Sequence, residues 1–121
     1  MSRIQNTNIS DVRFIKADPN SILVEGDLRE QNASDFESRL RTLVVDAGGS
    51  VILDLSGLDI EDGVALTTCI NSLRELRARS IGLVLRGAPQ MLGHNLYRTG
   101  LLGGSGAIEL IDMRLDEPGG F

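Results

Sequence analysis

Few side chains in this sequence could do chemistry, and they are poorly placed to do it together. His94 is the only histidine and Cys69 the only cysteine. One imidazole and one thiol without ligand spacing make no zinc site, so no metal and no cofactor is expected. Ser56, His94 and an aspartate are the ingredients of a nucleophilic triad, but no spacing joins them and no nucleophile-elbow sequence is present. Gly103-Gly104-Ser105-Gly106 has the look of a phosphate loop. It lacks the Walker lysine and does not lead from a strand into a helix, so it reads as a connector. Cys69 falls on an apolar helical stripe, which makes it a buried, inert thiol. Glu61-Asp62 is a carboxylate pair of the kind used for acid–base work. Asp62 also stands where a helix must begin, and an N-cap with a neighbouring surface charge is the simpler reading. Thr67 and Thr68 follow in the same helix and read as solvated helix residues rather than phosphorylation sites. These residues point away from an enzyme.

The elements that must position them are legible from periodicity. Val12-Arg13-Phe14-Ile15-Lys16 partly alternates as a strand, Asp18-Pro19-Asn20 is a turn, and Ser21-Ile22-Leu23-Val24 returns as a second strand. Ser34 and Glu37 form a capping-box pattern. Phe36, Leu40, Leu43 and Val44 follow on one helical face, and Gly48-Gly49 supplies a left-handed stop. Val51-Ile52-Leu53-Asp54-Leu55 is a short apolar run, predicted as a central strand buried on both faces, with Gly57-Leu58-Asp59-Ile60-Glu61 as its connector. Asp62 opens a second helix with Leu66, Cys69, Ile70, Leu73 and Leu76 as its buried stripe. Ile81-Gly82-Leu83-Val84-Leu85 is the next strand. Pro89 suits the first turn of a short third helix whose apolar side is Met91, Leu92, Leu96 and Tyr97, ending at Gly100. Ala107-Ile108-Glu109-Leu110-Ile111 is the last strand. The order β-β-α-β-α-β-α-β predicts an α/β domain with a mixed, mostly parallel sheet. Its strand-to-helix turns gather at one sheet edge, where such proteins bind things. We expect one domain over residues 1–121, with a core over about 12–111 and loose tails.

Composition sets the limits. The chain has 121 residues, a hydrophobic share of 41% and aromatics of 3%, so one aliphatic core is affordable and base-stacking platforms are not. The formal charge of −5 argues against nucleic acid and anionic membranes, which need a cationic footprint. No apolar run reaches bilayer length, so no membrane insertion is expected. The amino-terminal residues lack a secretory pattern, and a single cysteine suits a reducing compartment, which together predict a cytoplasmic protein. The glycosylation sequons at Asn8 and Asn32 carry no weight without export.

Four segments bear a resemblance to one family. Val24-Glu25-Gly26-Asp27-Leu28 is similar to a strand ending V-x-G-[ED]-L. Val51 to Leu58 is similar to a central strand with its connector. Ile60-Glu61-Asp62-Gly63-Val64-Ala65-Leu66 occupies the place of a signature near [FI]-[IM]-D-S-x-G-[VL]. Ile81 to Leu85, Pro89, Met91 and Gly100-Leu101 follow a strand, a P-x-M turn and a G-L helix end. In this order, from about Val12 to Ile111, they resemble the STAS domain of sulphate transporters and anti-sigma-factor antagonists. Aligned without gaps, Asp62 matches the family aspartate, Gly63 falls where phosphorylatable members carry Ser or Thr, and Ala65 falls on the family glycine. A register that makes Gly63 the family glycine needs a deletion and misplaces Arg74-Glu75-Leu76, so the gap-free one is preferred.

The resemblance implies a non-enzymatic docking module. In phosphorylatable relatives the hydroxyl sits at a helix start within the surface that docks a kinase-type anti-sigma factor. Phosphorylation there adds about two negative charges and opposes docking. Gly63 has no hydroxyl, so no phosphorylation is expected at that residue, and Thr67 and Thr68 are the nearest substitutes. Gly57, Asp59, Glu61, Asp62, Gly63, Val64, Thr67 and Thr68 are the expected partner-binding residues. Three readings follow. The first is a partner-switching antagonist in bacterial transcription regulation, bound to an anti-sigma factor of the kinase-type ATPase class. The second is a STAS subunit of a lipid-transport complex bound to its ABC ATPase. The third is a small-ligand or nucleotide sensor using Gly57–Val64, which the acidic charge weakens. All require the stretch after the middle strand to be an exposed acidic elbow that opens a helix.

Overall fold

Asp18 accepts a hydrogen bond from the Asn20 backbone amide at 3.0 Å, an Asx turn that folds the first two strands into a hairpin. The strands are β1 (Arg13–Asp18) and β2 (Ser21–Leu28). The computed structural model describes residues 12–102 and 108–114. The remaining elements are α1 (Glu30–Ala47), β3 (Val51–Ile60), α2 (Gly63–Ala78), β4 (Leu83–Arg86), α3 (Gln90–Arg98) and β5 (Ile108–Ile111). The sheet order is β1-β2-β3-β4-β5. β1 is antiparallel to β2, and β2 to β5 are mutually parallel. This is the mixed, mostly parallel α/β domain expected from the element order. The expected loose tails, the sequon at Asn8 and the Gly103–Gly106 connector lie outside the described residues.

One cluster forms the core. Ile22, Val24, Val51, Leu53, Leu55, Leu83, Leu85 and Ile108 from the sheet meet Phe36, Leu40 and Val44 of α1, Cys69, Leu73 and Leu76 of α2, and Leu92 and Leu96 of α3. Each fully buried Leu or Ile contributes about 1.5–3 kcal/mol of hydrophobic stabilisation. The alternating partners Leu23, Ile52 and Val84 are half-buried. The expectation of a central strand buried on both faces is therefore corrected: one face is packed and the other is partly open, as period-2 burial shows.

The expected connector is also corrected. Gly57 to Ile60 belong to β3, which stays in register with β2 as far as Leu28↔Ile60. A bulge makes this compatible with burial. Leu23 pairs with Asp54 and Glu25 with Gly57, so Leu55 and Ser56 together oppose Val24. The extra residue resets the alternation, so that Leu58 and Ile60 are buried while Asp59 is exposed. Gly57 is required by close approach rather than by a turn: a Cβ there would sit 2.9 Å from Glu25 Cβ.

Helix α1 begins at Glu30, four residues before the Ser34–Glu37 box, and those two residues lie inside it. Asn32 accepts from the Arg29 amide through Oδ1 at 2.8 Å, and its own amide donates to the Arg29 carbonyl at 3.2 Å. Gly48 ends the helix in the left-handed region, φ +75°, as anticipated. Strand β4 starts at Leu83, two residues later than expected. Pro89 is the cap of α3 rather than its first residue. Tyr97 is not on the apolar side of α3; it is 76% exposed. Gly93 is buried instead, and a Cβ on it would collide with Met113 Sδ. Among the described residues no helix is long and apolar enough to cross a membrane.

Candidate functional site

The parallel strands β2 and β3 end side by side, and each feeds a helix. Glu61, just past β3, donates its amide to the Leu28 carbonyl at 2.9 Å, so the two strand ends remain tied through the exit. The chain then turns at Asp62, whose backbone is extended (φ −152°, ψ 173°), and α2 starts at Gly63. Asp62 Oδ1 accepts from the Ala65 amide at 2.8 Å, the expected N-cap. Its second oxygen does more. Oδ2 accepts from the Glu30 amide at 3.0 Å, at the start of α1. One carboxylate thus satisfies donors at the origins of two helices, where both helix dipoles favour negative charge. These bonds, led by the Ala65 amide and then the Glu30 amide, hold the Asp62 carboxyl below its ordinary range.

The elbow is presented to solvent. Glu61, Gly63 and Thr67 are exposed, and Val64 is 49% exposed, an uncovered apolar side chain at the first turn of α2. Ala65 beneath them is fully buried. Thr68 is half-buried, and its carbonyl accepts from the Ser72 hydroxyl at 2.8 Å. Nothing lies within 4 Å of where a Gly63 Cβ would be, and its backbone is not in the left-handed region. Of the residues expected here, Glu61 to Thr67 gather at the elbow, whereas Gly57 and Asp59 lie on the strand leading to it.

Residues that the motifs did not single out complete the edge. Asp27 pairs in register with Asp59 across β2 and β3. Their carboxylates and that of Glu61 come within 4.8 Å of one another. Arg29 approaches Asp27 at 3.3 Å, and Arg114 approaches Asp59 at 3.7 Å. Negative charge, partly neutralised by the two arginines, is thus concentrated at the strand ends that lead into the elbow. Asp27 was visible in the V-x-G-[ED]-L segment, though not as a site. Arg114 carried no sequence signal.

The remaining reactive side chains do not assemble. The Ser56 hydroxyl donates to Asp54 Oδ1 at 2.6 Å, a bond that heads the causes holding the Asp54 carboxyl below its ordinary range. His94 is exposed on α3. Burial pushes the Cys69 thiol up to about 12, so it is not ionised at neutral pH. A groove of about 410 Å³, lined by Phe14, Ser38, Arg39, Thr42 and Leu43, shares no residue with the elbow.

With the fold and the elbow in place, comparison with known proteins is direct. The STAS domain model matches residues 16–112, and the chain belongs to the STAS domain family. Two solved structures share the fold. One is a Thermotoga maritima protein assigned as an anti-sigma factor antagonist, with 17% identity, a TM-score of 0.55, and coverage of 82% of this chain and 84% of that one. The other is the anti-sigma factor antagonist SpoIIAA in its unphosphorylated form, with 14% identity, a TM-score of 0.57, and coverage of 86% and 90%. The chain matches no curated protein at a significant level.

Proposed function

We propose that this chain is a non-catalytic docking subunit that grips an ATPase-type protein partner through the elbow at Asp62. The fold class supports a protein-interaction regulator in general. The observation that carries the finer reading is the elbow itself. A doubly bonded carboxylate fixes the backbone of a turn whose outer surface exposes Gly63 and Val64 beside an acidic patch. An exposed apolar side chain on a hydrogen-bonded turn that follows an acidic strand end matches the apolar centre and polar rim of a docking surface. Gly57, Asp59, Glu61, Asp62, Gly63, Val64, Thr67 and Thr68 form this face, and Asp62 anchors it. With glycine at position 63, docking there is not subject to phosphorylation of that residue. The chain acts in the bacterial cytoplasm as a partner-switching component.

Calorimetric titration against the two ATPase classes tests this. The purified chain is titrated with a kinase-type anti-sigma factor and with an ABC ATPase subunit from the same genome. Binding to the first makes the chain an anti-sigma factor antagonist in transcription regulation; binding to the second makes it a transport subunit. In either case Val64→Asp weakens binding at least tenfold while leaving the melting temperature nearly unchanged. No binding to either class, or binding indifferent to Val64→Asp, defeats the proposal.

A further inference from the structure

Strand β3 outruns its neighbour on one side. Its last pair with β4 is Asp54↔Arg86, whereas its pairing with β2 continues to Ile60. Among the described residues, 55–60 therefore form an arm with no strand beside it on the β4 flank, and this arm carries Asp59 toward the elbow. Unpaired backbone carbonyls there need another donor.

That donor is Arg114, two residues past the turn that follows β5. Its guanidinium donates to the Leu58 carbonyl through one terminal nitrogen and to the Gly87 carbonyl through Nε at 3.0 Å. The other terminal nitrogen lies 3.7 Å from Asp59 Oδ1. The Arg114 amide donates to the Ala88 carbonyl at 3.0 Å, and the Gly87 amide donates to the Ile111 carbonyl at 3.0 Å, so the strut is itself anchored. On the opposite side of this contact, Gly87 has φ +68°, and a Cβ on it would sit 2.7 Å from Ser56 Cβ. The turn before α3 is thus held hard against the β3 bulge, and the planar guanidinium spans the gap just beyond. The guanidinium meets the two carbonyls and the carboxylate from three separate nitrogens in a fixed plane, whereas the three donors of an ammonium all sit on one atom and cannot span that spacing.

We infer that Arg114 is the positioning residue of the docking arm: it stands in for the missing strand, fixing residues 58–59 and through them the elbow at Glu61–Val64. The role rests on the docking reading only for what the arm is for; the positioning is a property of the isolated chain. It is therefore tested without a partner, by native-state amide hydrogen exchange. The arm reporters are the amides of Glu61 (bonded to Leu28), Glu30 and Ala65 (both bonded to Asp62). The core reporters are Leu53 and Leu85. Arg114→Lys keeps the charge and is expected to speed exchange at the arm reporters at least tenfold, with less than a threefold change in the core. Arg114→Gln is expected to give the same pattern, more strongly. Equal acceleration of both sets would make Arg114 a general stabiliser and overturn the inference, as would protection of the arm unchanged in both variants. A wild-type chain that binds no ATPase would defeat the docking reading and leave the exchange result standing.

Discussion

Asp62 Oδ2 lies 3.0 Å from the backbone nitrogen of Glu30, a residue 32 positions earlier in the chain. The bond welds the start of α1 to the start of α2. It also supplements the Asn32 side chain in capping the start of α1, where Arg29 contributes no side-chain acceptor. The geometry separates two substitutions that ordinary capping rules would treat alike.

Asp62→Asn keeps one acceptor oxygen, and asparagine is a good N-cap. It retains the Ala65 bond and turns an amide NH₂ toward the Glu30 N–H, donor against donor. Asp62→Ala loses both bonds. The expected result is faster exchange of the Glu30 amide alone in the first variant, and of both the Glu30 and Ala65 amides in the second. The melting temperature should fall by roughly 5 °C in Asp62→Ala and by less in Asp62→Asn. Unchanged exchange at Glu30 in both variants would show that the link between the helices is not made in solution.

The same carboxyl sets a pH dependence. Its ionised form is favoured in the folded chain, so its folded pKa lies below the unfolded one. The stability it contributes is fully present above the unfolded value of about 3.9 and disappears as pH falls through the folded value. The difference in melting temperature between wild type and Asp62→Asn should therefore be flat from pH 5 to 8 and narrow only below about pH 4. Narrowing near neutrality would assign the stabilisation to another group.

Gly63→Ser should be accepted without structural cost. There is open space around the new Cβ, and the backbone is in a region that any residue adopts. The melting temperature is expected to stay within about 2 °C of wild type. If the chain docks a kinase-type anti-sigma factor, incubation of this variant with that partner and ATP should give one phosphate at position 63. The wild type should give none there. Phosphate mapped to Thr67 or Thr68 in the wild type would show that the modified hydroxyl has moved along the helix.

Cys69 should be silent in the native state. It is buried in the core and its thiol is pushed up to about 12. A thiol reagent at pH 8 should label it at the rate of unfolding, with full labelling in denaturant. Stoichiometric labelling within seconds under native conditions would contradict its placement.

Some of this was legible in the residues and some was not. The order of eight elements, the stop at Gly48 and the cap at Asp62 follow from local patterns, because the groups involved are neighbours in sequence. The start of α1 is not legible locally because part of its capping arrives from Asp62 through space. Gly57 to Ile60 read as a connector because a glycine suggests a turn, when its cause is the nearness of Glu25 across the sheet. Tyr97 reads as inward because an aromatic at helical spacing belongs to a core; the inner side of α3 is Leu92, Gly93 and Leu96, with Met113 and Leu110 packed close to Gly93. Arg114 shows no pattern at all, since its carbonyl partners have no residue identity to read.

The bulge opposite Val24 leaves the ladder with one spare residue. Leu55 and Ser56 share a single partner, so a chain lacking Ser56 would set Leu55 alone against Val24 and Gly57 still against Glu25. Leu58 and Ile60 would keep facing the core and Asp59 the solvent, because the extra residue shifts the numbering of the two faces and not the faces themselves.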